Sequence, residues 1–141
     1  MRWFFVFLVL LQGLFLAALG FLPTDKIPYH ENLPQDKILH CSGFLILAFL
    51  TFFIWDRPRR LHNFLLTAIP VGVLAFGSEI LQPVISPTRA YDSHDIVANV
   101  IGTVIGLLLA MVVDHLRERR YSRTAKTRNV SLVFSHSSSI P

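Results

Sequence analysis

The segment that decides the fold is Asp92–Gly106, DSHDIVANVIGTVIG. In it Asp92, Asp95, Asn99, Gly102 and Gly106 follow one another at spacings of three, four, three and four residues, which keeps all five on one stripe of an α-helix. The outer part of the stripe carries hydrogen-bonding side chains and the inner part is bare backbone. Gly102 and Gly106 bracket a small-xxx-small pattern, the device by which membrane helices approach closely. A face that packs closely and also carries polar atoms points into a bundle, away from lipid. Two residues of the stripe also have plain local roles: Asp92 is suited to capping the helix, and Asp95 is an early-turn acid that the helix dipole favours.

Three further apolar runs precede this one, so the predicted spans are residues 3–22, 37–55, 61–85 and 93–113, each near the ~20 residues needed to cross ~30 Å of hydrocarbon. An apolar fraction of 52% and a mean hydropathy of +0.52 in 141 residues exceed what a small soluble core requires. The expected fold is therefore all-α, an integral membrane four-helix bundle occupying residues 1–116. Residues 117–141 are expected to form a short helical extension and then a disordered, basic, Ser-rich tail. The first run is longer than a signal-peptide core and lacks an A-x-A cleavage site, so it is expected to be a retained anchor.

Charge sets the expected topology, because Lys and Arg beside short loops hold those loops in the cytoplasm. Of the 13 basic residues, Arg2, Arg57, Arg59, Arg60, Arg117, Arg119, Arg120, Arg123, Lys126 and Arg128 fall on one side of a four-span arrangement, against Lys26, Lys37 and Arg89 on the other. Both termini are accordingly expected inside. Retention of the spans accounts for the basic tail, which is expected near anionic headgroups, and no nucleic-acid partner is expected. The single cysteine, Cys41, excludes an intrachain disulfide and suits a small packing position. Pro23, Pro28 and Pro34 punctuate the first outer connection, and Pro70, Gly72 and Gly77 predict a kink in the third run.

Polar residues at membrane depth cost roughly 2.5–3.5 kcal/mol each on insertion scales, so their placement is informative. Asp36 and His40 share a face of the second run with Lys37 beside them, and Glu79 and Gln82 share a face of the third. Asp36 is also placed to cap its helix. Glu79 lies about 9 Å from the end of its run, too deep to cap, and an ion pair with Lys37 or Arg89 is the structural alternative. All of these fall at the ends of their runs that share one side of a bilayer with Asp92, Asp95 and Asn99. The acids Asp36, Glu79, Asp92 and Asp95 outnumber the bases Lys37 and Arg89. A shared proton, protonated His40, a bound cation or a cationic ligand group would restore the balance. No strict metal-ligand spacing is present, so neither a metal nor another cofactor is expected.

Taken in order, Asp36-Lys37-x-x-His40, Glu79-x-x-Gln82, Arg89 and Asp95-x-x-x-Asn99-x-x-Gly102-x-x-x-Gly106 resemble the VanZ-like family of small bacterial membrane proteins. The resemblance covers residues 36–106, about half of the chain, and departs from the family pattern in a slightly longer connection between Gln82 and Arg89. It implies a multi-span protein of the inner membrane and an association with resistance to the glycopeptide teicoplanin; no reaction comes with it. The function expected from these residues is binding or modification of an envelope lipid or lipid-linked headgroup at an outward-facing polar pocket. Catalysis there would give His40 the general acid or base role, Glu79 or Asp95 the role of its partner, and Lys37 or Arg89 that of anion stabiliser. Asp36, Gln82, Asp92 and Asn99 would complete the binding set. The alternative is a non-catalytic assembly module whose polar cluster is structural and whose glycine stripe supports packing or homo-oligomerisation. A proton-coupled transporter is disfavoured by the lack of repeated halves.

Overall fold

A computed structural model describes residues 1–21, 33–55, 59–86 and 91–137. The described residues form four α-helices: α1 (Trp3–Phe21), α2 (Leu33–Phe52), α3 (Arg60–Ile85) and α4 (Ser93–Ser137). Three of them, α1, α3 and α4, are long and apolar enough to cross a membrane, while the apolar stretch described in α2 is the shorter Lys37–Phe52. The chain divides into two compact units, Met1–Ala110 and Met111–Pro141.

On α3 and the first turns of α4 the burial pattern is inverted relative to a soluble protein, whereas α2 buries Phe44, Leu47, Ala48 and Phe52. The buried stripe of α3 is Asn63, Thr67, Val71, Ala75, Glu79 and Gln82, small or polar at every position, whereas Leu61, Ile69, Val73 and Ile80 are exposed. On α4, Asp95, Asn99 and Thr103 are buried and Val97, Ile101 and Val104 are exposed. Apolar surface this continuous is costly in water and normal against lipid, so the helices are compatible with a membrane protein. The buried hydroxyls of Thr51, Thr67 and Thr103 donate to the carbonyls of Leu47, Asn63 and Asn99 one turn back, at 2.7, 2.8 and 2.8 Å, which removes the cost of burying them.

Helix directions follow from a few contacts. The Arg2 N–H donates to the Ile54 carbonyl (2.9 Å), joining the start of α1 to the end of α2. Midway along, Gln12 Nε2 donates to the Gly43 carbonyl (3.2 Å) and Leu16 packs on Gly43, so α1 and α2 are antiparallel. Helices α2 and α4 are parallel: a Cβ built on Gly102 would collide with the Cys41 carbonyl oxygen, and one built on Gly106 with that of Leu45. The contact at Cys41 is with its backbone, so it is the glycine of α4 whose size is restricted. At the far end of this arrangement Phe5, Phe49 and Phe52 surround Phe53, with ring centroids 5.5, 5.2 and 5.5 Å from it. The opposite end, where α1 and α3 finish and α4 starts, holds His40, Glu79, Gln82, Asp95 and Asn99.

Several expected boundaries are corrected. Helix α2 starts at Leu33 rather than near 37, because Pro34 occupies its first turn, where a missing N–H costs nothing. Asp36 is therefore the fourth helical residue rather than the cap. The helix ends at Phe52, and Phe53 and Ile54 form a turn. Helix α3 runs unbroken through Pro70 and Pro83. Helix α4 is helical to Ser137, well past the short extension expected, and from Leu107 to Ile140 the sequence has neither Gly nor Pro to stop it. In the second unit Arg117, Arg119, Arg120 and Arg123 are exposed.

Glycine at position 102 is required by contact and at position 72 it is not, since nothing lies within 4 Å of a Cβ built there. Gly102→Ala is expected to destabilise the bundle by about 1–3 kcal/mol through forced separation of α2 and α4. Gly72→Ala should be neutral or stabilising, by up to about 1 kcal/mol from helix propensity. Thermal unfolding of the two variants in detergent checks the contrast; equal losses would refute the close approach.

Candidate functional site: a histidine, amide and carboxylate cluster

Three helices converge on Asn99. It is fully buried, one turn and a half into α4. Its Nδ2 donates to Glu79 Oε1 (3.0 Å) and to the Ala75 carbonyl (3.3 Å), both on α3. Both amide protons are thereby committed to oxygen acceptors. A flipped amide would face two acceptors with a third, so the orientation is fixed by its neighbours. Asn99 Oδ1 is then the acceptor that faces His40 Nδ1 of α2 at 3.1 Å, and the imidazole proton must lie on Nδ1.

Glu79, 2% exposed, is the second hub. Its Oε1 accepts from Asn99 and from Gln82 Nε2 (3.3 Å), and His40 Nδ1 stands 3.4 Å away. Gln82 lies where α1 ends: its amide is 3.6 Å from a Cβ position on Gly20. The spacing of three residues between Glu79 and Gln82 that marked a shared face in the sequence produces this contact directly.

The remaining edge of His40 faces a different partner. Nε2 is 3.9 Å from Asp95 Oδ2, on the first turn of α4, with the two side chains 12% and 10% exposed. Further out, Lys37 Nζ pairs with Asp92 Oδ2 at 3.5 Å, both side chains 40% exposed. Asp92 also caps α4: its Oδ1 accepts the His94 N–H at 2.8 Å and lies 3.0 Å from His94 Nδ1. These hydrogen bonds from the His94 backbone and side chain, with the Lys37 charge, hold the Asp92 carboxyl below the ordinary Asp value.

The cluster thus has a dry inner part, Glu79, Gln82 and Asn99, and an outer part, His40 Nε2, Asp95, Lys37 and Asp92. Of the residues singled out from the sequence, His40, Glu79, Gln82, Asp95 and Asn99 are brought together, Lys37 and Asp92 form the rim, and Gly102 and Gly106 sit behind the cluster in the α2–α4 seam. Lys37 pairs with Asp92 rather than with Glu79. The Asp36 side chain and Arg89 lie outside the described residues. Among the described residues no group of three or more His, Cys, Asp or Glu side chains is placed to hold a metal ion. The Gln12 to Gly43 hydrogen bond escaped the sequence argument; its one signal is that Gln12 is the single amide in the first apolar run.

Fold and cluster together define an all-helical protein, compatible with a membrane, in which His40, Glu79, Gln82, Asp95 and Asn99 are gathered at one end of the first unit. No family model matches the sequence, and no solved structure matches it. The protein called "Uncharacterized protein C11E3.10" of Schizosaccharomyces pombe is 33% identical over 122 residues, an alignment that covers 82% of this chain and 70% of that protein. The chain belongs to the same family as that protein.

Removing the hub amide should be costly. Asn99→Ala leaves buried acceptors and the His40 donor without a shared partner, and is expected to lower stability by about 1–3 kcal/mol, with Gln82→Ala costing less. Denaturation in detergent checks the order, and an inverted order refutes the hub role. The Asp92 cap gives a second prediction. Since its folded carboxyl is the more acidic, the stability it adds is present above the ordinary Asp value and lost as pH falls through the lowered one. Asp92→Asn should flatten that acid limb of a melting-against-pH curve.

Proposed function

We propose that this chain is a VanZ-like integral membrane protein of the inner membrane, with four spans and both termini cytoplasmic, that binds or modifies an envelope lipid or lipid-linked headgroup. The observation that carries this reading is the outer edge of the cluster, where the ring of a histidine positioned by a buried amide faces a carboxylate at the first turn of α4. The ten basic residues on one side against three on the other support the topology. The inverted burial of α3 and α4 supports membrane residence. The Schizosaccharomyces pombe relative is a eukaryotic protein, so the lipid part of the proposal stands apart from the glycopeptide association, which rests on the resemblance alone.

One observation favours a second reading for part of the cluster. Glu79, Gln82 and Asn99 satisfy one another and are nearly inaccessible, as expected of groups that lock helices together. In the combined proposal these three hold His40 in place, and His40 and Asp95 meet the ligand. A purely structural module would need neither His40 Nε2 nor Asp95 for anything but stability.

His40→Ala and Asp95→Asn separate the two. The lipid reading expects normal protein level and a melting temperature near wild type, with loss of bound lipid from the purified protein and, in a bacterial host expressing the chain, loss of any change in teicoplanin susceptibility. Loss of folding in both variants would leave only the structural module. Topology is checked in a Cys41→Ser background: Tyr29→Cys should label from outside the cell and Arg59→Cys only after permeabilisation, and labelling of position 59 from outside would overturn the orientation.

A further inference from the structure

Residues 116–124 of α4, LRERRYSRT, lie in the second unit and are exposed at every position, on all sides of the helix. Helicity there rests on propensity and on the helix's own hydrogen bonds, and a stretch held only in that way opens readily. An enzyme that needs its substrate extended can therefore gain one. Two hydroxyls stand in the stretch. Thr124 Oγ1 donates to the Arg120 carbonyl at 3.1 Å, one turn back. Ser122 has Arg119 and Arg120 at three and two residues before it, and of all the serines and threonines in the chain it alone has arginine at both positions. A guanidinium pair at a fixed distance from a hydroxyl is what acidic subsites on a protein kinase recognise, through bidentate contacts that decide which oxygen is brought to the nucleotide. The same arginines suit a second surface. Residues 117–124 carry a net charge of +3, four arginines against Glu118, and Ser122 lies nine residues beyond Val113, where the predicted span ends, about 13 Å along the helix. Basic charge so close to a span is drawn to an anionic leaflet.

We propose that Ser122 is a phosphorylation site for a kinase that selects arginine two and three residues before its acceptor, and that the phosphate releases this stretch of helix from an anionic membrane face. The donor is ATP. Ser122 Oγ forms a bond to the γ-phosphorus, the bond from that phosphorus to the β–γ bridging oxygen breaks, ADP leaves, and the hydroxyl proton passes to a carboxylate of the kinase. The product adds about −1.5 to −2 charges, which cancels at least half of the local excess. Arg119, three residues away on the same helix face, is in reach of the phosphate oxygens and is thereby withdrawn from lipid as well. The proposal rests on one part of the reading above, the cytoplasmic C-terminus, because ATP is on that side.

The full-length chain in detergent, incubated with cyclic-AMP-dependent protein kinase and ATP, tests the site by peptide mass spectrometry. Phosphate is expected on Ser122 and is expected to be lost in Ser122→Ala. Arg119→Gln combined with Arg120→Gln should slow its incorporation at least about tenfold. All three substitutions fall on exposed positions, so folding is expected to be unchanged. Release from lipid is read on the wild-type chain in nanodiscs by hydrogen–deuterium exchange over residues 117–124. Exchange should be at least about threefold slower when phosphatidylserine is added to phosphatidylcholine, and phosphorylation should erase that difference. Phosphate placed elsewhere at an equal rate, incorporation indifferent to the two arginines, or exchange that shows no lipid difference or keeps it after phosphorylation overturns the proposal. In yeast expressing the chain, phosphate on Ser122 is expected too. Its absence there with Arg59→Cys labelled from the non-cytosolic side removes the topology, and the access to ATP with it. Its absence with position 59 on the cytosolic side overturns the site and leaves the topology standing.

Discussion

Burial of the Asn99 side chain is the constraint on which the rest of this bundle depends. An amide buried this completely has no water to turn to, and each of its polar groups must find a protein partner or cost the fold several kcal/mol. Here its two donors go to α3 and its acceptor faces α2, so a single residue of α4 ties three helices at one level. The tie is also directional. Because the donors are spoken for, the oxygen is what remains for His40, and the ring's own proton is drawn inward. The outward character of the histidine is therefore decided by a residue on another helix.

That tie requires close helices, and side-chain size provides for it. Gly102 and Gly106 continue the stripe on which Asp95 and Asn99 lie, and they let the α4 backbone rest on the carbonyl oxygens of Cys41 and Leu45. A larger residue at either position would lift α4 away from α2 and lengthen the Asn99–His40 contact with it. Helix packing without a hydrophobic driving force depends on such van der Waals contact and on interhelical hydrogen bonds, and the two are interleaved here along one face. The aromatic group around Phe53 closes the other end, so polar and aromatic contacts hold opposite ends of the same helices.

Periodicity made much of this legible in the sequence. Asp95, Asn99, Gly102 and Gly106 announce a face, Glu79 and Gln82 announce another, and His40 stands one turn beyond Asp36; convergence follows once the helices are antiparallel in sequence order. Partner choice was not legible, because it depends on which sides of neighbouring helices meet. Lys37 stood as a candidate ion-pair partner of Glu79 and instead forms the rim pair with Asp92. Helix ends were misjudged for local reasons. Pro34 read as a breaker and is a first-turn residue, and the stretch after Val113 read as tail because it is polar, although it lacks any residue that ends a helix. The contact of Gln12 with a glycine carbonyl depends on α1 docking, for which the sequence offers one polar atom and no pattern.

The seam between α2 and α4 has a mechanical implication. Where backbone rests on backbone, two helices cannot slide past one another by a residue, since the next side chain along would be driven into a carbonyl. Axial motion between these two elements is therefore opposed, which keeps His40 level with Asn99. Midway along, helix α1 touches its neighbour differently, through the ends of Gln12 and Leu16, which are jointed and yield. Among the contacts described, the stiffest seam thus joins α2 and α4, the two helices that carry His40 and Asn99.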